Sequence, residues 1–164
     1  MISLQEKQAL LDALGTRLKT EYETLVAAQK ATQAGATHEE AKPENDKDTR
    51  ALEQSYLARG QAERVHQLNN DLLTLGQLRV RSFTDDAPIG LSAIVQLEEE
   101  NGESHLYVLV PAGAGEELSC SIGSVKAVTP QSPLGRALMG ARLFDVVELR
   151  SPKAKRVLSI VALG

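Results

Sequence analysis

The sequence contains no tryptophan and few aromatic residues of any kind: Tyr22, Tyr56, Phe83, Tyr107 and Phe144 are all it has. Stacking platforms for unpaired bases are therefore poorly supplied. Positive charge is also short. Eighteen lysines and arginines face 22 aspartates and glutamates, and a net charge of −4 opposes a broad hold on a phosphate backbone. Extensive direct binding of nucleic acid is excluded on both counts. The single cysteine, Cys120, has no partner for an internal disulfide, and without a nearby histidine pair it reads as a structural thiol rather than a nucleophile. No membrane span is indicated, and the start, Met1-Ile2-Ser3-Leu4-Gln5-Glu6, lacks a basic segment followed by an apolar one. A cytoplasmic protein is expected. What is present suffices for a core, since 42% of the 164 residues are hydrophobic, enough for one or two small domains.

From Ser3 to about Ala34 there is no proline, and Leu4, Leu11, Leu18 and Leu25 recur every seven residues with Leu14 and Ala28 in the second heptad position. This predicts one long amphipathic helix, about 48 Å at ~1.5 Å per residue, too long to lie inside so small a domain. Ser3 followed by Glu6 has capping-box spacing, and Gly35 is the predicted stop. A second helix is expected to begin near Glu44 to Asp46. Its seam runs through Ala51, Ala58, Val65 and Leu72, interleaved with Ser55, Ala62, Leu68 and Leu75, with small residues toward the turn. Two matched helices joined by a short turn predict an antiparallel coiled-coil hairpin over residues 1–78.

Beyond Leu78 the pattern becomes β-branched and alternating. Candidate strands are Val80 to Phe83, Ala93 to Glu99, Ser104 to Val110, Val125 to Thr129, Asp145 to Arg150 and Arg156 to Ala162. Asn101-Gly102 marks a hairpin between the second and third. One short helix, at about Pro133 to Met139, has Ser132 as N-cap, Pro133 at its first position and Gly140 just past its end. Residues 79–164 are thus expected to form an α+β domain around a mostly antiparallel sheet.

Chemistry is sparse. Ala112-Gly113-Ala114-Gly115 is followed by Glu116-Glu117, which would repel a phosphate, so a flexible loop between strands is the better reading. His38, His66 and His105 fall on separate elements, and neither a hydrolase elbow nor zinc spacing occurs. The stretch His38 to Asp48 stands apart: it holds five acids against two lysines, which makes it the most charged point of the chain. Glu39, Glu40, Glu44, Asp46 and Asp48 are the hard carboxylates a magnesium ion accepts, usually one or two at a time with waters. The same acids would also cap the second helix and favour its dipole.

The run Thr129-Pro130-Gln131-Ser132-Pro133-Leu134-Gly135-Arg136-Ala137-Leu138-Met139-Gly140, followed by Asp145-Val146-Val147-Glu148-Leu149, resembles the C-terminal domain of the bacterial Gre transcript-cleavage factors. The layout is similar as well, because those factors join an N-terminal helical hairpin to a C-terminal domain of FKBP-like fold. The resemblance implies a chain that binds RNA polymerase, with Thr129, Pro130, Ser132, Pro133, Leu134 and Arg136 on the docking domain; a monomer is expected. It also implies a hairpin passed through the secondary channel, so that Glu44, Glu40, Asp46 and Asp48 assist cleavage of backtracked RNA. Glu44 and Glu40 would share Mg2+ with the polymerase, and the chain would be a helper rather than an enzyme. Glu44-Asn45 matches half of the family's tip pattern, but Ala41 stands where an aspartate is expected, with Glu40 one position early. Phe144 replaces the glycine before Asp145, and Pro152-Lys153-Ala154 replaces a Pro-x-Gly turn. These departures mark a divergent branch. The competing reading, from another class, is a coiled-coil adaptor unrelated to transcription, its acids serving solubility and capping. A prolyl isomerase is disfavoured because Phe83, Tyr107 and Phe144 alone could line its pocket.

Overall fold

A computed structural model of the chain describes residues 2–38, 49–150 and 155–164. In order these form helices α1 (Leu4–His38) and α2 (Thr49–Gly76), strands β1 (Ile94–Glu99), β2 (Ser104–Leu109), β3 (Glu117–Cys120) and β4 (Gly123–Val128), helix α3 (Pro133–Leu138), and strands β5 (Val146–Arg150) and β6 (Lys155–Leu163). The fold class is α+β, with a helix pair preceding a sheet that carries one short helix. Two compact units result. One comprises Met1–Gly15 with Leu73–Gly164, the other Thr16–Leu72. The base of each helix thus belongs with the sheet, in contrast to the division at 78/79 that chain order suggests.

In the helical unit, Leu18 and Leu68 are buried and Arg64 reaches Glu21 Oε1 through Nε at 3.0 Å and Nη2 at 2.7 Å. The helices run antiparallel, since residue 21 faces 64 here, while in the sheet unit an added Cβ on Gly15 would lie 3.7 Å from Leu75. Of the predicted seam, Leu11, Leu14, Leu18, Leu68 and Leu75 are buried and Leu25, Val65 and Leu72 half-buried. Leu4 is 49% exposed, and Ala28, Ser55, Ala58 and Ala62 are exposed too. The alanines and the serine bury little area because their side chains are small, and Gln61, outside the predicted seam, is half-buried. Gly35 does not stop α1, which continues to His38; a glycine costs a helix interior only about 1 kcal/mol and need not end it. The expected start of α2 at 44–46 lies outside the described residues.

The capping box forms as read: Ser3 N donates to Glu6 Oε2 at 3.0 Å and Glu6 N to Ser3 Oγ at 3.2 Å. A hydrogen bond from Ser121, then those from Ser3, hold the Glu6 carboxyl below its ordinary range. Four residues past Ser3 lies Lys7, buried in the second position of the first heptad, where a count of apolar residues does not look. Its ammonium donates to the Arg81 carbonyl at 2.8 Å and sits 5.0 Å from the Phe83 ring centroid. Burial foremost, and the charge of Arg81 second, lower this amine to about 8.

The sheet order is β3-β4-β2-β1-β6-β5, antiparallel except for the β2–β4 pair. The Asn101-Gly102 hairpin joins β1 to β2 with Ile94 opposite Val108, and Gly102 takes φ +83°. One face carries Val95, Leu97, Leu109, Val128, Leu158 and Ile160, which pack with Leu138 of α3 as a single core. Two strand readings change. Val80 to Phe83 joins no strand, and the backbone groups of Arg81 bond to side chains: Arg81 N donates to Ser92 Oγ at 3.0 Å, and the Arg81 carbonyl accepts from Lys7 Nζ. Conversely Glu117–Cys120 is an edge strand on β4, antiparallel with Leu118 opposite Val125. The Gly113–Gly115 loop is strapped to β4 as well, with Gly115 N donating to the Ala127 carbonyl at 2.8 Å. Gly113 takes φ +82°, and a Cβ there would meet Leu14 at 2.8 Å, so that glycine serves close packing rather than phosphate.

Candidate docking site on the sheet unit

The segment from Thr129 to Arg136 folds into one compact turn and helix start. Ser132 has extended backbone, and its Oγ accepts from Gly135 N at 3.0 Å while donating to the Thr129 carbonyl at 2.8 Å. Ser132 N reaches the same carbonyl at 2.9 Å. Pro133 follows at the first helical position, where its missing N–H costs nothing. Gly135 is required by packing, since a Cβ there would sit 2.0 Å from the Thr129 oxygen. The local sequence thus builds a rigid bend with one side chain, Ser132, closing it from both directions.

The six residues named from the sequence for partner binding come together here and divide by exposure. Pro133 and Arg136 are exposed, Pro130, Ser132 and Leu134 are half-buried, and Thr129 is buried with its carbonyl occupied by the turn. Leu134 packs on the core from one side, which anchors the bend to the sheet. Arg136 is the cation this surface can offer to a partner carboxylate.

Sequence reasoning missed how much apolar surface continues past the helix. Met139 is 42% exposed, Val146 58% and Phe144 78%. Phe144 also has φ +71°, a left-handed backbone that costs a bulky residue roughly 1–3 kcal/mol. It is held there by its N–H to the Ile160 carbonyl at 2.9 Å, by Ile160 N to the Asp145 carbonyl at 2.9 Å, and by Arg142 N to Asp145 Oδ2 at 2.8 Å. The backbone therefore keeps the glycine conformation that the resemblance expects, with an aromatic side chain mounted on it. The signal was in the sequence, as a phenylalanine in a glycine position before Asp145.

The tip acids Glu40, Glu44, Asp46 and Asp48, named for catalysis and metal sharing, lie outside the described residues, as does Glu39. Among the described residues no group of three or more histidine, cysteine, aspartate or glutamate side chains could hold a metal ion, and no helix is long and apolar enough to cross a membrane.

No family model matches the chain. It is 35% identical over 75 residues to the transcription inhibitor protein Gfh1 of Thermus thermophilus, covering 46% of each chain. To the protein of the same name from Thermus aquaticus it is 37% identical over 75 residues, again 46% of each. The chain thus matches about half the length of these curated relatives. A crystal structure of GreA factor homolog 1 (Gfh1) of Thermus thermophilus aligns over 94% of both chains at 24% identity, with a TM-score of 0.39. On the sequence likeness, about half of the chain is similar to transcription inhibitor proteins named Gfh1.

Proposed function

We propose that this chain regulates transcription by binding RNA polymerase, and that it does so without being an enzyme itself. The observation that carries the reading is its 35% identity over 75 residues to a transcription inhibitor protein. Further support comes from the rigid Ser132-Pro133 bend with exposed Arg136 and Phe144, a surface suited to a protein partner because apolar and aromatic groups supply area while the arginine supplies orientation. In this reading Pro133, Leu134 and Arg136 contact the polymerase, whereas Thr129, Pro130 and Ser132 hold their geometry.

The helix pair acts as a coiled-coil hairpin that enters the secondary channel, with the sheet unit, FKBP-like in its arrangement, remaining outside. α1 is 35 residues long, about 52 Å at ~1.5 Å per residue, which suffices to reach a buried centre. In the sequence that follows α1, Glu44, with Glu40, Asp46 and Asp48, alters how Mg2+ is held at the polymerase active site. Carboxylates near a catalytic metal either help activate a water or compete for the ion's open positions. The name of the relatives and the presence of Ala41 where an aspartate is expected favour competition, hence inhibition. The protein works as a cytoplasmic monomer, and no membrane takes part.

The direct test is co-purification with core RNA polymerase at low salt. Retention of the chain, weakened by Arg136→Glu and by Phe144→Ser, is expected; no retention at any concentration tried would refute the reading. Glu44→Ala should bind as well as the parent and lose its effect on transcript cleavage.

A further inference from the structure

Between the end of α2 and the strand region lies a cavity of about 370 Å³, at the lower end of the size range of small-ligand sites. Thr74, Gln77, Arg79 and Arg81 contribute its polar wall, and Leu91 and Pro111 part of its apolar one. All of these residues belong to the sheet unit. Arg79 and Arg81 stand two apart in the sequence and both line the cavity. Neither guanidinium forms an ion pair among the described residues, and no carboxylate lines the cavity.

Arg81 is held in place without using up its hydrogen-bonding edge. Its Cζ lies 5.3 Å from the Phe83 ring centroid, and Gly90 makes room for the head, since a Cβ there would come within 2.9 Å of Arg81 Nη2. A guanidinium fixed by stacking loses little freedom when it binds a ligand. Close by, the buried Lys7 ammonium bonds the Arg81 backbone, which adds a third positive charge. In a chain of net charge −4, two arginines thus line one cavity, with the Lys7 ammonium on the Arg81 carbonyl.

We propose that this cavity binds a small phosphate-bearing anion through Arg79 and Arg81. Planar guanidinium groups match the paired oxygens of phosphate, and the Gln77 side chain adds an amide to the lining. The bound anion neutralises the cluster and ties the end of α2 to the segment that carries Arg81. The site is independent of polymerase binding, so it stands or falls separately from that reading.

The test titrates inorganic tripolyphosphate into the full chain at low salt with chelator present, followed by calorimetry, with citrate at matched ionic strength as the carboxylate control. Saturable binding is expected, weakened roughly tenfold by each of Arg79→Gln and Arg81→Gln and unchanged by Lys30→Gln on the outer face of α1. Both arginines are exposed, so the variants should keep the parent melting temperature in the absence of ligand. Binding of citrate as tight as that of tripolyphosphate would overturn the phosphate assignment. No binding, or equal weakening by Lys30→Gln, would overturn the site itself. A nucleoside triphosphate that binds more tightly than tripolyphosphate would support the proposal and identify the apolar wall as a base contact.

Discussion

The helical unit and the sheet unit are stabilised by different means. Among the described residues from Thr16 to Leu72, Leu18 and Leu68 are the buried hydrophobic side chains, whereas the sheet unit holds two layers of strand residues, a helix packed on one face and the bases of both long helices. Burial of apolar area is the main favourable term in folding, so the sheet unit carries the stability and the helices borrow it at their base.

The largest test of that contrast is truncation on each side. Ile160 and Leu68 are both fully buried, yet Ile160 lies in a dense core and Leu68 between two helices that can close up. Ile160→Ala should cost about 4 kcal/mol in urea unfolding and Leu68→Ala about 2 kcal/mol. Equal losses would mean that the helical unit is packed as tightly as the sheet.

Next in size is the buried lysine where α1 meets the sheet. Its folded value of about 8 lies below the ordinary 10.5, so between those values the unfolded chain binds more protons and stability rises with pH. From pH 8 to 10 the parent should gain on the order of 2 kcal/mol relative to Lys7→Met, measured as the difference between their denaturant midpoints. Parallel pH profiles would show that the ammonium is not desolvated there.

Smaller gains of about 1 kcal/mol are expected at two positions. Phe144→Gly should stabilise the sheet unit by removing left-handed strain, while weakening retention on the polymerase. Gly60→Ala should stabilise the helical unit, since nothing lies within 4 Å of an added Cβ and alanine is the better helix former. Thermal melts check both. A destabilising Phe144→Gly would mean that the aromatic ring contributes packing that its exposure does not suggest.

What was legible in the sequence follows the same division. Ser3 with Glu6, Asn101-Gly102 and Ser132-Pro133 each act through local geometry, and each formed as read, as did the heptad leucines nearest the base of the helices. Readings that needed tertiary knowledge failed. Val80 to Phe83 has strand composition, but Ser92 and Lys7 take its backbone groups. Glu117–Cys120 lacks strand composition, but β4 offers it an edge. Lys7 shows why apolar periodicity misses part of a seam, because a long aliphatic stem fills a core position while its head finds a carbonyl. The docking bend was legible for the same local reasons, whereas the exposure of Met139 and Phe144 depends on what the fold leaves uncovered.

The most direct measurement is the rate of transcript cleavage in a stalled, backtracked RNA polymerase complex across a magnesium titration, with the chain present and absent. Cleavage should slow at low magnesium and recover as the ion is raised, and a variant with Glu40, Glu44, Asp46 and Asp48 all changed to alanine should bind without slowing it. Identical rates with and without saturating chain at every magnesium concentration would contradict the account.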